Sequence, residues 1–177
     1  MLTKTRYNFL IQQYKNNIYG YSFYMLKNRM DADDVTQEVL IKIWKNINGF
    51  KLTSAKTWIM RTTHNLCIDY LRKRKINVER IYSIDEEFVE NLAGAENESN
   101  PHNQTHQNLM ADKIKEKIQL LPENLRSIFV LYELHGLKYR EISKALDLPI
   151  NTVKVYLMRA RKKLQEELKY YERQEVI

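Results

Sequence analysis

The segment Leu137 to Lys163, LKYREISKALDLPINTVKVYLMRARKK, narrows the possible folds of this chain more than any other stretch. Ile142, Leu146, Leu148 and Val153 are spaced so that two crossed helices share a small core, and Ser143 is small where such a crossing requires it. Asp147-Leu148-Pro149 makes the corner, since Asp tolerates turn conformations and Pro suits a helix start. Beyond it Val153, Leu157, Ala160 and Leu164 recur at helical spacing and face inward. The expected unit is a helix-turn-helix, whose second helix enters the DNA major groove. Asn151, Lys154, Val155, Met158, Arg159 and Lys162 then point outward, a stripe suited to base edges, thymine methyls and phosphates. An amphipathic hairpin with a merely solvated basic face is the competing reading of the same pattern.

Composition extends this to the whole chain of 177 residues. Only 4 Gly and 3 Pro interrupt a sequence rich in Leu, Ile, Lys, Glu and Gln, so the expected fold is all-α. The net charge of +7 suggests a polyanionic partner, without separating nucleic acid from a membrane surface. Residues 1–77 hold 14 Lys/Arg against 5 Asp/Glu, 78–111 hold 1 against 7, and 112–177 hold 14 against 10. Two basic blocks flanking an acidic bridge predict two small helical domains, 1–77 and 111–177, joined by a flexible acidic linker over 78–110. The single Cys67 excludes an internal disulfide and fits a reducing cytoplasm and a small core position. The start of the chain lacks a signal pattern and no run is long enough to span a bilayer, so neither export nor membrane insertion is expected.

The first block reads as three helices. Tyr7, Leu10, Ile11, Tyr14, Ile18, Tyr21 and Met25 give one, with a break expected near Gly20 and a turn at Asn28-Arg29-Met30. The second spans 31–50, with Asp31 or Asp33 as N-cap and Asn48-Gly49 at its end. Asp34, Gln37, Glu38 and Ile41 share one side of it. They form either a docking patch for a basic protein or a well-capped, solvated helix start. The third starts near Ser54 and ends in Arg72-Lys73-Arg74-Lys75. Lys56, Arg61, His64, Asn65, Arg72 and Arg74 along it offer phosphate and base contacts, and Trp and Tyr neighbours suit unstacked single-stranded bases.

Within the acidic bridge Ile84, Phe88, Val89 and Leu92 suggest a short docking segment. His102 and His106 lie four apart but lack a Cys or acidic partner, so no metal site is expected. From Ala111 one helix runs to Leu120, Pro122 breaks it, and another runs from about Asn124 to His135, closed by Gly136. Leu120, Leu121, Leu125, Ile128, Phe129, Leu131, Tyr132 and Leu134 are the expected core beneath the helix-turn-helix. No catalytic constellation and no cofactor motif occurs anywhere, so the chain does not read as an enzyme.

Three stretches, DADDVTQEVLIKIW, TWIMRTTHNLCIDYLRKRK and LPENLRSIFVLYELHGLKYREISKALDLPINTVKVYLMRARKKL, occur in this order with an acidic segment between the last two. Together they resemble the sigma factors of bacterial RNA polymerase. The match is to the small extracytoplasmic-function (ECF) group of the sigma-70 family, which keeps only the second and fourth sigma domains. The resemblance implies that Asp34, Gln37, Glu38, Ile41 and Trp44 dock on the clamp helices of the largest polymerase subunit, and that the fourth domain meets the flap. It assigns Asn65, Asp69 and Arg72, with Lys56, Arg61 and His64 beside them, to single-stranded DNA at the −10 element. The Phe50–Ser54 loop would line a pocket for a flipped-out base. Residues 147–163, including Thr152, would read duplex DNA at −35. The linker would thread toward the active-site cleft, and an anti-sigma factor would be a further partner. Asp147 stands where many members have Gly, Val155-Tyr156 where many have Ser-Arg, and Thr62-Thr63 where an apolar-small pair is usual. The −35 preference is therefore expected to be this chain's own. An autonomous helix-turn-helix regulator is the alternative. It needs a dimerisation element the sequence does not display, and it leaves residues 31–75 unexplained.

Overall fold

The computed structural model describes residues 2–49, 51–82 and 106–174. Among them every regular element is helical, in two bundles. The N-terminal bundle comprises α1 (Leu2–Leu26), α2 (Arg29–Asn46) and α3 (Leu52–Tyr82). The C-terminal bundle comprises α4 (His106–Leu120), α5 (Glu123–Phe129), a π-helical turn (Val130–Leu134), α6 (Tyr139–Leu146) and α7 (Ile150–Gln174). The all-α, two-domain expectation holds. The expected docking segment at Ile84–Leu92, together with Phe50 and His102, lies outside the described residues.

In α1 the expected stripe is the core: Leu10, Tyr14, Ile18, Tyr21 and Met25 are all buried. Burying a side chain of this kind contributes about 1.5–3 kcal/mol. The break expected near Gly20 does not occur: α1 runs as one helix from Leu2 to Leu26. It ends at Lys27, which takes a left-handed conformation (φ 57°) and donates its N–H to Phe23 O at 2.9 Å. Asn28, not Asp31 or Asp33, then caps α2. Its backbone is extended and its Oδ1 accepts the Asp31 N–H at 3.0 Å. This frees the Asp31 carboxylate for Arg74 of α3, whose guanidinium also donates to Leu26 O at 2.8 Å. Arg74 is therefore a structural tie between the α1–α2 corner and the far half of α3, not an open DNA contact.

α2 buries Ala32, Val35, Val39 and Ile43 against α1, and α3 buries Ala55, Ile59, Met60, Leu66 and Cys67. Cys67 is a core residue, its thiol pushed up to about 12 chiefly by burial. α3 runs beyond the expected basic end through Val78 to Tyr82, and α4 begins at His106, so helix enters the expected linker from both sides.

In the C-terminal bundle Pro122 starts α5, its carbonyl accepting from Leu125 and Arg126. The expected helix to His135 changes winding at Val130. His135 N–H reaches back to Val130 O (3.1 Å) and Leu137 N–H to Leu131 O (2.9 Å). Gly136, at φ 62°, supplies the left-handed residue that ends it. This winding turns Leu134 outward, and Leu120 at the end of α4 is 58% exposed, so neither belongs to the expected core. Leu121, Ile128, Val130, Leu131 and Leu137 fill it beneath Ile142, Val153, Leu157 and Ala160.

Candidate nucleic-acid and protein interfaces

Three surfaces carry the sequence-predicted residues. On α2, Asp34, Gln37, Ile41 and Trp44 are exposed and Glu38 is half-buried, all on the side away from the buried Val35–Val39–Ile43 row. Ile41 is 53% and Trp44 49% exposed, large apolar groups open to solvent within an acidic surface. Trp44 is held in place by the Tyr7 ring, edge-on at 5.0 Å, while Tyr7 OH donates to Leu40 O. Glu38 makes only a 3.5 Å ion pair with Lys42 one turn on, an exposed pair worth little. The carboxylates of Asp34 and Glu38 add to burial in raising the Tyr70 hydroxyl on α3 above its ordinary value. The two helices thus meet beside this face.

The α3 residues divide. Arg61, Asn65 and Arg72 are exposed along one stripe, with Asp69 partly exposed beside them. Arg72 donates to Asp69 at 2.5 Å, so part of the charge in the stripe is internally matched. Lys56 and His64 lie on a different side. Tyr21 OH and His64 Nδ1 are 2.8 Å apart, and burial lowers the His64 imidazole to about 4. Lys56 Nζ donates to Gly136 O of the C-terminal bundle at 3.2 Å. In this arrangement these two are occupied by the protein itself. A shallow depression of about 600 Å³ lies at the start of α3, lined by Asn48, Gly49, Lys51, Leu52 and Arg6; Leu52–Ser54, expected to be loop, are the first turn of that helix. Arg6 lies outside the apolar stripe that marks α1 in the sequence, so helical periodicity does not point to it.

On α7, Asn151, Lys154, Val155, Met158, Arg159 and Lys162 are exposed and Thr152 is half-buried. Met158, at 62% exposure, is the most open apolar group of the helix's outer face. The corner that aims this helix is locked twice. Asp147 takes φ 55° and closes α6 on Ser143 O, and Ser143 Oγ donates to Leu148 O at 2.6 Å while Leu148 N–H returns to Ser143 O. At the start of α6 the Glu141 carboxylate accepts the Lys138 N–H at 2.7 Å. Arg161 is used internally, on Glu133 of the π-helical turn at 2.6 Å. Tyr156 is half-buried and packs on the core, so of the Val155-Tyr156 pair only Val155 faces outward.

These features define a class: a two-bundle helical protein with an exposed basic stripe on each bundle and a separate exposed acidic-apolar face on α2. The sequence matches Sigma-70 region 2 over residues 10–76 and Sigma-70, region 4 over residues 111–164. It is 30% identical to ECF RNA polymerase sigma factor SigW of Bacillus subtilis over 171 residues, 90% of this chain and 87% of that one. It is 32% identical to the ECF RNA polymerase sigma-E factor of Escherichia coli K12 over 78% of this chain and 74% of that one. With SigE of Mycolicibacterium smegmatis the match is 28% over 90% of this chain but 60% of the relative's length. Two solved structures share the fold. The sigma factor RpoE, in complex with the anti-sigma factor NepR from Bartonella quintana, aligns with TM-score 0.70 at 22% identity, covering 90% of this chain and 94% of that one. CnrH, in complex with the cytosolic domain of CnrY, aligns with 0.64 at 17%, covering 93% and 88%. The chain belongs to the ECF group of the sigma-70 family. Its function is that of a sigma factor in transcription initiation, with RNA polymerase and promoter DNA as partners. Among the described residues no helix is long and apolar enough to cross a membrane, and no group of His, Cys, Asp or Glu is placed to hold a metal.

Proposed function

We propose that the three surfaces divide the work of promoter selection. Asp34, Gln37, Glu38, Ile41 and Trp44 dock on the clamp helices of the largest polymerase subunit, and the C-terminal bundle meets the flap. Acidic groups around two half-exposed apolar side chains fit a basic partner that also buries apolar surface. Arg61, Asn65, Asp69 and Arg72, joined by Lys56 and His64, take the −10 strand once it is single-stranded, with one base held in the depression beside Lys51 and Leu52. Extruding a base costs a few kcal/mol, which stacking and pocket hydrogen bonds offset. The outer face of α7, from Asn151 to Lys162, reads duplex DNA at −35, with Val155 and Met158 toward thymine methyls. RNA synthesis is the polymerase's chemistry, and the chain itself supplies none. An anti-sigma factor that covers the polymerase-binding faces, as partners are present on the two structurally similar proteins, would hold it inactive in the cytoplasm.

The observation that carries this reading is the solvent-facing Ile41–Trp44 pair amid carboxylates, which an autonomous DNA-binding regulator has no use for. Run-off transcription with core polymerase tests it. Promoter-specific product is expected only when the chain is added, and Glu38→Lys is expected to abolish product and polymerase pull-down while leaving the melting temperature unchanged. Undiminished polymerase binding by Glu38→Lys, or tight sequence-specific duplex binding without polymerase, favours the regulator instead.

A further inference from the structure

The π-helical turn Val130–Leu134 interrupts the α winding, and such turns gather at functional sites. Its first two residues, Val130 and Leu131, are buried in the core. The next two, Tyr132 and Glu133, reach across to α6 and α7. Tyr132 stacks on Tyr139, the first residue of α6, with ring centroids 5.0 Å apart and planes 14° from parallel. The Tyr139 hydroxyl is raised above its ordinary value chiefly by its hydrogen bond to the Tyr132 side chain.

Each ring carries a cation of α7. Lys154 Nζ stands 5.9 Å from the centre of the Tyr139 ring, and the Arg161 guanidinium carbon 5.4 Å from the centre of the Tyr132 ring. Arg161 is fixed in turn by Glu133, whose carboxylate accepts from Nε at 2.7 Å and from a terminal nitrogen at 2.6 Å. The order is carboxylate, guanidinium, ring, ring, ammonium. Lys154 and Arg161 are seven residues apart, so they share one side of α7, about 10.5 Å apart along its axis. The stacked rings span that interval.

The column treats its two cations differently. Arg161 is held by a carboxylate and turns toward DNA only by breaking both hydrogen bonds. Lys154 is held by a ring face, which attracts an ammonium through its quadrupole without taking up its donors. Its three N–H groups stay available while its flexible stem is restrained. Ordering a free lysine on binding costs entropy, so a lysine that must meet one base edge gains from being ordered beforehand.

We propose that Tyr132 and Tyr139 are positioning residues for −35 recognition: the stacked pair, anchored on Arg161 and Glu133, holds the Lys154 ammonium at the outer face of α7 before DNA arrives. Neither ring need touch a base. The inference rests on the assignment of α7 to the −35 duplex.

Run-off transcription by the holoenzyme, on a matched template and on one substituted in its −35 element, gives a preference ratio that tests this. Tyr139→Leu removes the ring and should lower the ratio about two- to fivefold, the strength of an exposed cation–ring contact. Tyr132→Leu removes the support and should lower it in the same sense. Tyr139→Phe keeps the ring and should retain the ratio. In a Lys154→Met background Tyr139→Leu should change the ratio no further. A ratio untouched by both Leu variants overturns the positioning role. So does an equal loss in the Lys154→Met background, which makes the ring act without the lysine. A loss in Tyr139→Phe as large as in Tyr139→Leu also overturns it, since the hydroxyl then carries the effect. Should Tyr139→Leu lose its helical circular dichroism, Tyr132→Leu with and without Lys154→Met is read the same way. Lys154→Met leaving the ratio unchanged overturns Lys154 as a base reader and the positioning with it. A lysine effect without a ring effect overturns the positioning alone.

Discussion

Asp147 carries the corner of the helix-turn-helix in a left-handed conformation at φ 55°, a region that favours Gly. Asp visits this region more cheaply than other non-glycine residues, and a β-branched side chain hardly at all. Asp147→Gly should therefore be neutral or stabilising by up to about 1 kcal/mol, and Asp147→Val should cost about 1–2 kcal/mol, read from chemical denaturation. The buried histidines give a pH dependence of definite sign. His64 and His135 are lowered to about 4 by burial, and Lys56 adds to the effect at His135. In the unfolded chain they bind protons at about 6.5. Between these values the unfolded state holds more protons, so stability is complete above about 6.5 and falls as pH drops toward 4. Thermal melts between pH 5 and 7 should show this decline, and the double substitution His64→Gln, His135→Gln should flatten it. The turn residue was legible in the sequence because Asp before Leu-Pro is a local signal. His64 was not: helical spacing along α3 does not show that the Tyr21 hydroxyl of α1 lies 2.8 Å from its Nδ1.

At the scale of the element, the apolar rows of α1, α2 and α7 were legible because burial follows helical spacing over several turns. Ends and irregularities were not. Asn28 displaced Asp31 as the α2 cap because a distant guanidinium, Arg74, engages the Asp31 carboxylate. The π-helical turn at Val130–Leu134 has no local signature, and it moved Leu134 out of the expected core. Gly20 does not break α1, because the intrahelical cost of one glycine is small beside the buried row on either side of it, and a Cβ there would make only ordinary contact with His135. The outward residues of α7 are exposed as their spacing predicts, and Tyr156 beside them packs on the core. Lys154→Ala and Arg159→Ala should each weaken −35-dependent initiation by about 1–3 kcal/mol where the contact is to a base. A phosphate contact would lower affinity uniformly across promoters and reduce the salt dependence instead. Comparing initiation on matched and −35-substituted templates distinguishes the two.

At the scale of the whole molecule, two modest readers gain strength by being held at a fixed separation. Each bundle presents only a short stripe, and binding both elements at once multiplies affinity only when the spacing fits. The charge blocks made the two-domain plan legible, since each bundle needs its own polyanion-facing side. The bundles' mutual contact was not legible, because no periodicity links Gly20 to His135. We propose that docking on polymerase turns the two bundles into a ruler for −35 and −10. Run-off transcription over templates whose spacing is changed one base pair at a time measures this directly. A sharp optimum is predicted, lost when Lys154 and Arg159 are both replaced by Ala. Equal output across the spacing series, or an optimum indifferent to those two residues, would contradict it.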